Sequence, residues 1–440
     1  MKRVHLIAVG GAIMHNLAIA LSHREYHVTG SDDAIYDPAK SNLKNARLDV
    51  TIGWDATLIT SDIDVVILGM HARANNPELL RAQELGLSIM SFPEFVADES
   101  VNKKRLVVAG SHGKTTTTAM IMHVLSQLNI DFDYIVGSSI DGFDLSVKLS
   151  DAPLIVIEGD EYLSSPLDLK SKFLWYKPHV SIITGIAYDH INVFPTFDLY
   201  IDTFDKYIKS HGEQGKYFWF KKDEHLERLA EANSVSNDSY DTPRFRTIPG
   251  GSANVIDERE YNLSIVGKHN LENLVAAQLA CGELGVSVND FYTAASSFTG
   301  AGRRMEKVVD LPNQVVYRDF AHSPSKLKAT TEAIKETYKG ELLALFELHT
   351  FSSLNKDFLP LYRDTMKSAD RAIVFYNDAV FEHKKMPFIE ASFVVECFGN
   401  VEVVHLPLAL QSIVNEEYAN GNNILLMSSG KFENAKFSFD

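Results

Sequence analysis

Short apolar runs alternate with amphipathic stretches along most of the chain. Val4–Val9 reads as a buried strand, Gly10-Gly11 as a turn and Ala12–Leu21 as a helix. Tyr26–Gly30 is a second strand, ending in Ser31-Asp32. Val65–Gly69 is a strand closing on Met70-His71, followed by a helix near Pro77–Leu85 and a strand near Leu87–Met90. Strands alternating with helices predict a parallel, doubly wound sheet over residues 1–104.

The pattern restarts at Leu106-Val107-Val108, which breaks at Gly110. Gly113-Lys114-Thr115 follows, then a helical period in Met120, Ile121, Val124, Leu125 and Leu128. Strand, glycine turn, Lys-Thr and helix together predict a phosphate loop. Glycines let backbone N–H groups approach phosphates, and the helix N-terminus adds partial positive charge. Lys114 would bridge β- and γ-oxygens, and the Thr115 hydroxyl would hold Mg²⁺. The spacing departs from the common loop, because Val108 stands where its first glycine would be. Leu154–Ile157 then runs into Glu158-Gly159-Asp160-Glu161, and Val180–Thr184 into Asp189-His190. Acidic and imidazole groups at strand C-termini lie where open α/β sheets bind ligands, and hard oxygen donors beside a phosphate loop suit Mg²⁺.

Residues 221–262 are polar and predict an irregular excursion with short strands. Gly267-Lys268-His269-Asn270-Leu271-Glu272-Asn273 enters an apolar helix, Leu274–Leu284, with Asn270 and Asn273 on one face. Gly300–Glu306 reads as a hinge into a third βα alternation. That alternation has strands at Val315–Arg318, Leu342–Phe346, Ala372–Phe375, Val401–Val404 and Ile424–Met427. A helix follows Asp319-Phe320-Ala321-His322-Ser323-Pro324, and the last strand ends in Ser428-Ser429-Gly430-Lys431.

Composition narrows the function classes. The 440 residues predict two to four domains at about 150 residues each. The net charge of −16 argues against a nucleic-acid partner, whose phosphates require a basic face. Cys281 and Cys397 are too few for a disulfide framework or a metal knuckle, and a reducing compartment fits. With no run of about 18 apolar residues and no cleavage pattern, a cytoplasmic protein is expected. The glycine pair with Asp32 about 20 positions on is half of a dinucleotide fingerprint. Asp32 would take ribose hydroxyls or a uracil edge.

Six segments in order resemble the Mur ligases, the ATP-dependent amide-forming enzymes of peptidoglycan assembly. They are Gly110–Thr117, Glu158–Glu161, Asp189-His190, Gly267–Asn273, Gly302–Glu306 and Asp319–Pro324. The resemblance implies an α/β chain of three domains. These are a Rossmann-like UDP-sugar domain (1–104), a central P-loop ATPase with a parallel sheet (105–302) and a Rossmann-like C-terminal domain for the amine substrate (303–440). It implies ATP and Mg²⁺ as cofactors. Gly110, His112, Gly113, Lys114, Thr115 and Thr116 would hold the phosphates, Asn270 and Asn273 adenine, Asp319 the ribose, and Arg304 the developing charge. Thr115 and Glu158 would hold one Mg²⁺ and His190 a second, with Lys114, Glu158, His190 and Arg304 as the catalytic set. Gly10, Gly11, Ser31, Asp32 and His71 would hold the UDP-sugar.

The implied reaction activates the lactyl carboxylate of UDP-N-acetylmuramate as an acyl phosphate, which a muropeptide or L-alanine attacks. Asp160-Glu161-Tyr162, Ser171-Lys172-Phe173, Val28–Asp32 and Phe346-Glu347 are similar to the branch that joins L-Ala-γ-D-Glu-meso-diaminopimelate in peptidoglycan recycling. The L-alanine branch of de novo synthesis is the alternative. The chain departs from the family at Gly159, where alanine is usual, at Ser111, and at Leu348-His349-Thr350, where the family commonly places Pro and an Arg. A P-loop switch or motor, or a nucleotide-sugar binder without catalysis, are the rival classes.

Overall fold

The computed structural model describes residues 1–188, 193–256, 259–302 and 304–439. These divide into two compact units. One comprises residues 1–188, 193–241 and 276–291, the other residues 242–275 and 292–439.

The first unit holds two sheets. The first contains β1 (Arg3–Ile7), β2 (His27–Asp32), β3 (Asp49–Ile52), β4 (Val65–Leu68) and β5 (Ser88–Ser91). Their spatial order is β3-β2-β1-β4-β5 and every pairing is parallel. Helices α1 (Met14–His23), α2 (Ala39–Asn45), α3 (Pro77–Glu84) and α4 (Phe92–Glu99) provide its crossovers and cover. The pattern did not predict β3; Asp-Val-Thr-Ile is a half-exposed edge strand without an apolar run. The strand order reverses between β1 and β4, which opens a crevice at the ends of those strands.

The second sheet contains β6 (Lys104–Ala109), β7 (Asp133–Ile135), β8 (Val147–Lys148), β9 (Leu154–Glu158), β10 (Val180–Ile183), β11 (Lys216–Phe220) and β12 (Ser236–Tyr240). Their order is β12-β11-β10-β6-β9-β7-β8, with only β8 antiparallel. α5 (Lys114–Gln127) follows β6, and α6 (Phe197–Lys209) and α7 (Glu224–Ala232) flank β11 in sequence. Buried Leu6 and Leu17 of the first sheet's layer and Val107, Ile157 and Ile183 of the second belong to one continuous apolar core. That continuity holds the first unit together.

The second unit opens with a small antiparallel sheet, β13 (Phe245–Ile248), β14 (Gly251–Ile256) and β15 (Arg259–Leu263). The polar stretch 221–262 holds the short strands expected of it, and a helix, α7, that was not expected. α7 forms because Asp223 caps it, accepting from the amides of His225 (3.0 Å) and Leu226 (3.1 Å). β13–β15 form because antiparallel strands bury only one face and tolerate polar alternation. α8 (Lys268–Gly282) and α9 (Val288–Ala295) follow. The final sheet has β16 (Glu306–Leu311), β17 (Gln314–Asp319), β18 (Leu342–Glu347), β19 (Arg371–Phe375), β20 (Glu402–Val404) and β21 (Asn423–Met427), in the order β16-β17-β21-β18-β19-β20. All its pairings are parallel except β16–β17. α10 (Pro324–Thr337) packs on the face where Tyr317, Leu342 and Phe346 point, while Val316, Leu343 and Leu345 fill the other. Alternate residues of one strand thus enter two cores, as period-2 geometry requires. No described helix is long and apolar enough to cross a membrane.

Candidate active site

The expected phosphate loop follows the central strand of the second sheet. Gly110 has φ +123° and Gly113 φ +76°, a region that favours glycine. A Cβ on Gly110 would collide with Thr184, 2.8 Å from its amide nitrogen. Thr184 fixes the loop from the next strand: its hydroxyl donates to the Ala109 carbonyl (3.2 Å) and to that of His112. Gly113 caps α5 with no side-chain acceptor, so the first-turn amides remain available to an anion.

Lys114 and Thr115 each meet a carboxylate. Lys114 Nζ lies 2.7 Å from Glu161 Oε2 and donates to the Gly110 carbonyl at 2.7 Å. Glu161 is buried and accepts from the Tyr200 hydroxyl at 2.9 Å. Burial disfavours the Lys114 charge, but Glu161, Asp160 and Glu158 outweigh it and hold the pKa above the ordinary lysine value. Thr115 Oγ1 donates to Glu158 Oε1 at 2.7 Å, and Glu158 Oε2 accepts the Gly137 amide at 2.8 Å. Glu158 is the last residue of β9, beside β6, so parallel pairing sets it next to the loop. Asp160 ion-pairs with Lys172 (2.6 Å); burial raises its pKa and the Lys172 charge reverses that, leaving it low. Gly159 has a packing reason: a Cβ there would lie 2.8 Å from Val107 Cγ1. His112 Nδ1 contacts the Ser111 carbonyl at 2.7 Å, and Thr116 is half-buried on α5. His190, with Asp189, lies outside the described residues.

The first sheet carries a second glycine turn at the end of β1. The Gly10 amide donates to Asp32 Oδ2 at 2.7 Å. Burial raises the Asp32 pKa, and the Gly10 amide opposes the shift. Gly11 holds the imidazole of His15 through its carbonyl at 2.8 Å. Ser31 is buried, and its hydroxyl donates to Glu78, which also lies 3.2 Å from His5 Nε2. His71 is exposed just beyond β4, the strand that flanks β1 across the order reversal.

The second unit gathers the other predicted residues. Asn270 and Asn273 are buried on the first two turns of α8; Asn270 Nδ2 donates to the Val266 carbonyl at 2.9 Å. Asp319 ends β17 and accepts from the Met305 amide (3.0 Å) and the Thr330 hydroxyl (2.8 Å). The Arg304 guanidinium stands over the Phe320 ring, 4.4 Å from its centroid, so two of the six segments meet here. His322 Nδ1 contacts the Phe320 carbonyl at 2.8 Å. At the C-terminal ends of β18 and β21, Glu347 accepts from the Ser428 hydroxyl and from the Phe432 amide (2.9 Å), and the His349 ring packs against Gly430.

Residues 108–281 match the Mur ligase middle domain, and residues 3–103 the Mur ligase family, catalytic domain. A UDP-N-acetylmuramate–L-alanine ligase of Clostridium kluyveri is 30% identical over 380 residues, 81% of this chain and 80% of that protein. The chain is a Mur ligase. It is thus an ATP-dependent, amide-forming enzyme. This Mur ligase is also 28% identical to the UDP-N-acetylmuramate–L-alanyl-γ-D-glutamyl-meso-2,6-diaminoheptandioate ligase of Haemophilus influenzae, over 98% of this chain and 97% of that one. Its fold is similar to the crystal structure of a murein peptide ligase from Psychrobacter arcticus (TM-score 0.69, 24% identity, 99% and 97% of the two chains). It is similar too to that of a UDP-N-acetylmuramate–alanine ligase from Thermotoga maritima (TM-score 0.75, 20% identity, 99% and 97%).

Sequence reasoning missed Glu161 as the partner of Lys114, and it missed Gly137, Tyr200 and Ser111. Ser111 Oγ accepts the Ala187 amide (2.9 Å) and bonds the Tyr200 hydroxyl (2.8 Å). The family segment Glu158–Glu161 could have flagged Glu161. Nothing in the local pattern marks Tyr200, a buried position of an amphipathic helix.

Proposed function

We propose that this Mur ligase activates the lactyl carboxylate of UDP-N-acetylmuramate with ATP and joins it to the amine of L-alanyl-γ-D-glutamyl-meso-diaminopimelate. One observation carries the ligase chemistry: Lys114 and Thr115 each face their own carboxylate, Glu161 and Glu158, at the mouth of a glycine loop. Glu161 keeps Lys114 charged and aimed. Lys114 then neutralises the γ-phosphoryl group while a lactyl oxygen attacks phosphorus in line and ADP leaves. The tripeptide amine attacks the acyl carbon, the C–O bond to phosphate breaks, and the ammonium so formed loses its proton. A divalent cation fits beside the loop. The Thr115 hydroxyl and Glu158 carboxylate are hard oxygen donors, and Mg²⁺ takes one or two such ligands plus phosphate oxygens. It would neutralise charge on the transferring group. His190 is proposed to hold a second Mg²⁺ on the family motif alone. Asn270, Asn273, Arg304 and Asp319 likewise keep their implied roles on motif alone.

The first glycine turn is the proposed UDP-sugar site. Asp32 accepts the Gly10 amide and, as a two-oxygen carboxylate, would also take a uracil N–H or a ribose hydroxyl. Gly10, Gly11, Ser31 and His71 lie in the chain around the same strand ends. The tripeptide is favoured by two kinds of support. Relatives named for it match over 98% of the chain. The Asp160–Tyr162 and Ser171–Phe173 segments also form one local structure: the Lys172 amide donates to the Tyr162 carbonyl at 2.9 Å, beside the Asp160–Lys172 pair. L-Alanine is the second reading, favoured by the 30% identity to the alanine ligase. Residues 1–104, 105–302 and 303–440 are proposed as the sugar, ATP and amine domains of a cytoplasmic enzyme. ATP, Mg²⁺ and UDP-N-acetylmuramate incubated with tripeptide or with L-alanine separate the readings by product mass. The tripeptide adduct is expected; an L-alanine adduct alone overturns the amine assignment, and neither adduct overturns the reaction.

A further inference from the structure

A continuous run of hydrogen bonds leads from the first glycine turn to the phosphate loop, entirely within the first unit. His15 Nδ1 donates to the Gly11 carbonyl (2.8 Å), and Asn16 Nδ2 donates to His15 Nε2 (3.0 Å). The Ser146 amide, on the loop before β8, donates to Asn16 Oδ1 at 3.2 Å. The Ser146 carbonyl accepts the Val136 amide at 2.9 Å. The adjoining Gly137 amide donates to Glu158 Oε2 at 2.8 Å, and Glu158 Oε1 accepts the Thr115 hydroxyl at 2.7 Å. Segment 136–146 thus has one end on α1 and the other on the carboxylate of the phosphate loop.

Two features argue that this run is more than packing. Asn16 is buried in a helix whose next residues are Leu17, Ala18, Ile19, Ala20 and Leu21. An amide there must recover its lost hydration through directed bonds, and an apolar side chain would bury at no such cost. All its capacity is directed: Nδ2 also donates to the Ala12 carbonyl at 2.8 Å, while Oδ1 is reserved for the Ser146 amide. Burial lowers the His15 pKa, which favours the neutral ring with Nδ1–H to Gly11 and Nε2 free to accept.

We propose that His15, Asn16 and segment 136–146 are positioning residues that couple occupancy of the Gly10-Gly11 turn to the placement of Glu158 and Thr115. The proposal deepens the functional reading and rests on its placement of the UDP-sugar at that turn. A sugar that shifts Gly11 would then move Gly137, and the coupling must be reciprocal.

The full-length protein is titrated with a magnesium complex of a nonhydrolysable ATP analogue, with and without saturating UDP-N-acetylmuramate. Wild type is expected to bind the nucleotide at least about fivefold tighter when the sugar is present. Asn16→Ala should shrink that factor to under about twofold while each ligand alone binds within about threefold of wild type. Asn16→Asp keeps an acceptor for Ser146 but loses the donors to His15 Nε2 and the Ala12 carbonyl, so it too should shrink the factor to under about twofold. Gly137→Pro, at an exposed position, removes the last donor and should abolish coupling even where Asn16→Ala fails to fold. Wild type that binds both ligands without coupling, or Asn16→Ala that keeps it, overturns the relay alone. Loss of coupling together with a more than about tenfold loss in each binary affinity means a merely structural role and overturns it too. Wild type that does not bind the sugar overturns the substrate reading as well.

Discussion

The first unit contains the same device twice, with opposite chemistry. In both sheets a glycine turn follows a central parallel strand, and an acidic residue ends the neighbouring strand: Asp32 on β2, Glu158 on β9. At the first turn the acid accepts from the turn's own amide, Gly10. At the second, the acids face a lysine and a hydroxyl, Glu161 on Lys114 and Glu158 on Thr115. The scaffold supplies a crevice and aligned amides in each case. The side chains decide whether it presents acceptors to neutral donors or cationic groups to a polyphosphate. A glycine turn in an α/β sheet is therefore a place for a ligand, and its identity is written in the next few side chains.

Lys114→Ala would break the comparison most completely, leaving the second turn with no cation. Amide formation is expected to fall by at least about 1000-fold, the scale of a lost charge-stabilising group, with ATP-dependent product mass as readout. Near-normal turnover would remove the phosphate-loop assignment. Glu158→Ala tests the hydroxyl–carboxylate half: the Mg²⁺ concentration for half-maximal rate should rise by about tenfold or more. An unchanged Mg²⁺ titration would exclude Glu158 as a ligand.

Asp32→Ala asks whether the first turn binds without reacting. The KM for UDP-N-acetylmuramate should rise about tenfold with kcat within about threefold, the signature of lost uniform binding. A kcat loss as large as that of Lys114→Ala would make the two turns equivalent and end the contrast.

The last expected effect is on stability. His15 under the first turn and His211 under the second sheet are both held neutral by burial, and His211 is pushed down to about 4. His211 Nε2 bonds Ser181 at 2.7 Å and Nδ1 the Ile208 carbonyl at 2.8 Å. A histidine with a lowered folded pKa leaves the unfolded chain binding more protons. Stability is thus full above pH ~6.5 and falls as pH drops towards 4. The displacement from 6.5 to about 4 corresponds to about 3 kcal/mol for His211. Denaturant titrations at pH 7 and pH 4.5 should show the loss, and His211→Gln should flatten it. A slope unchanged by that substitution would mean the acid sensitivity lies elsewhere.

Much of this architecture was legible in the chain itself. Val107-Val108, Ile155–Ile157 and Leu343–Leu345 are apolar without interruption and became strands buried on both faces. The Gly110–Thr115 turn could be read because its glycines, lysine and threonine are contiguous, and backbone reach alone brings them together. What escaped was of two kinds. β3 sits at a sheet edge and α7 buries one face, so their polar residues imitated a loop. Glu161, Tyr200, Gly137 and Asn16 act across long separations, and no local pattern encodes which donor meets which acceptor.

The sequence by itself determined the alternation of strand and helix, the two glycine turns and the cation and hydroxyl at the second. These depend on steric limits and solvation within a few residues of chain. Only the tertiary structure decided that Lys114 faces Glu161, that Glu158 is shared between Thr115 and Gly137, and that Asn16 reaches Ser146. Those pairings follow from strand order and register, which emerge when separate apolar faces find a common core.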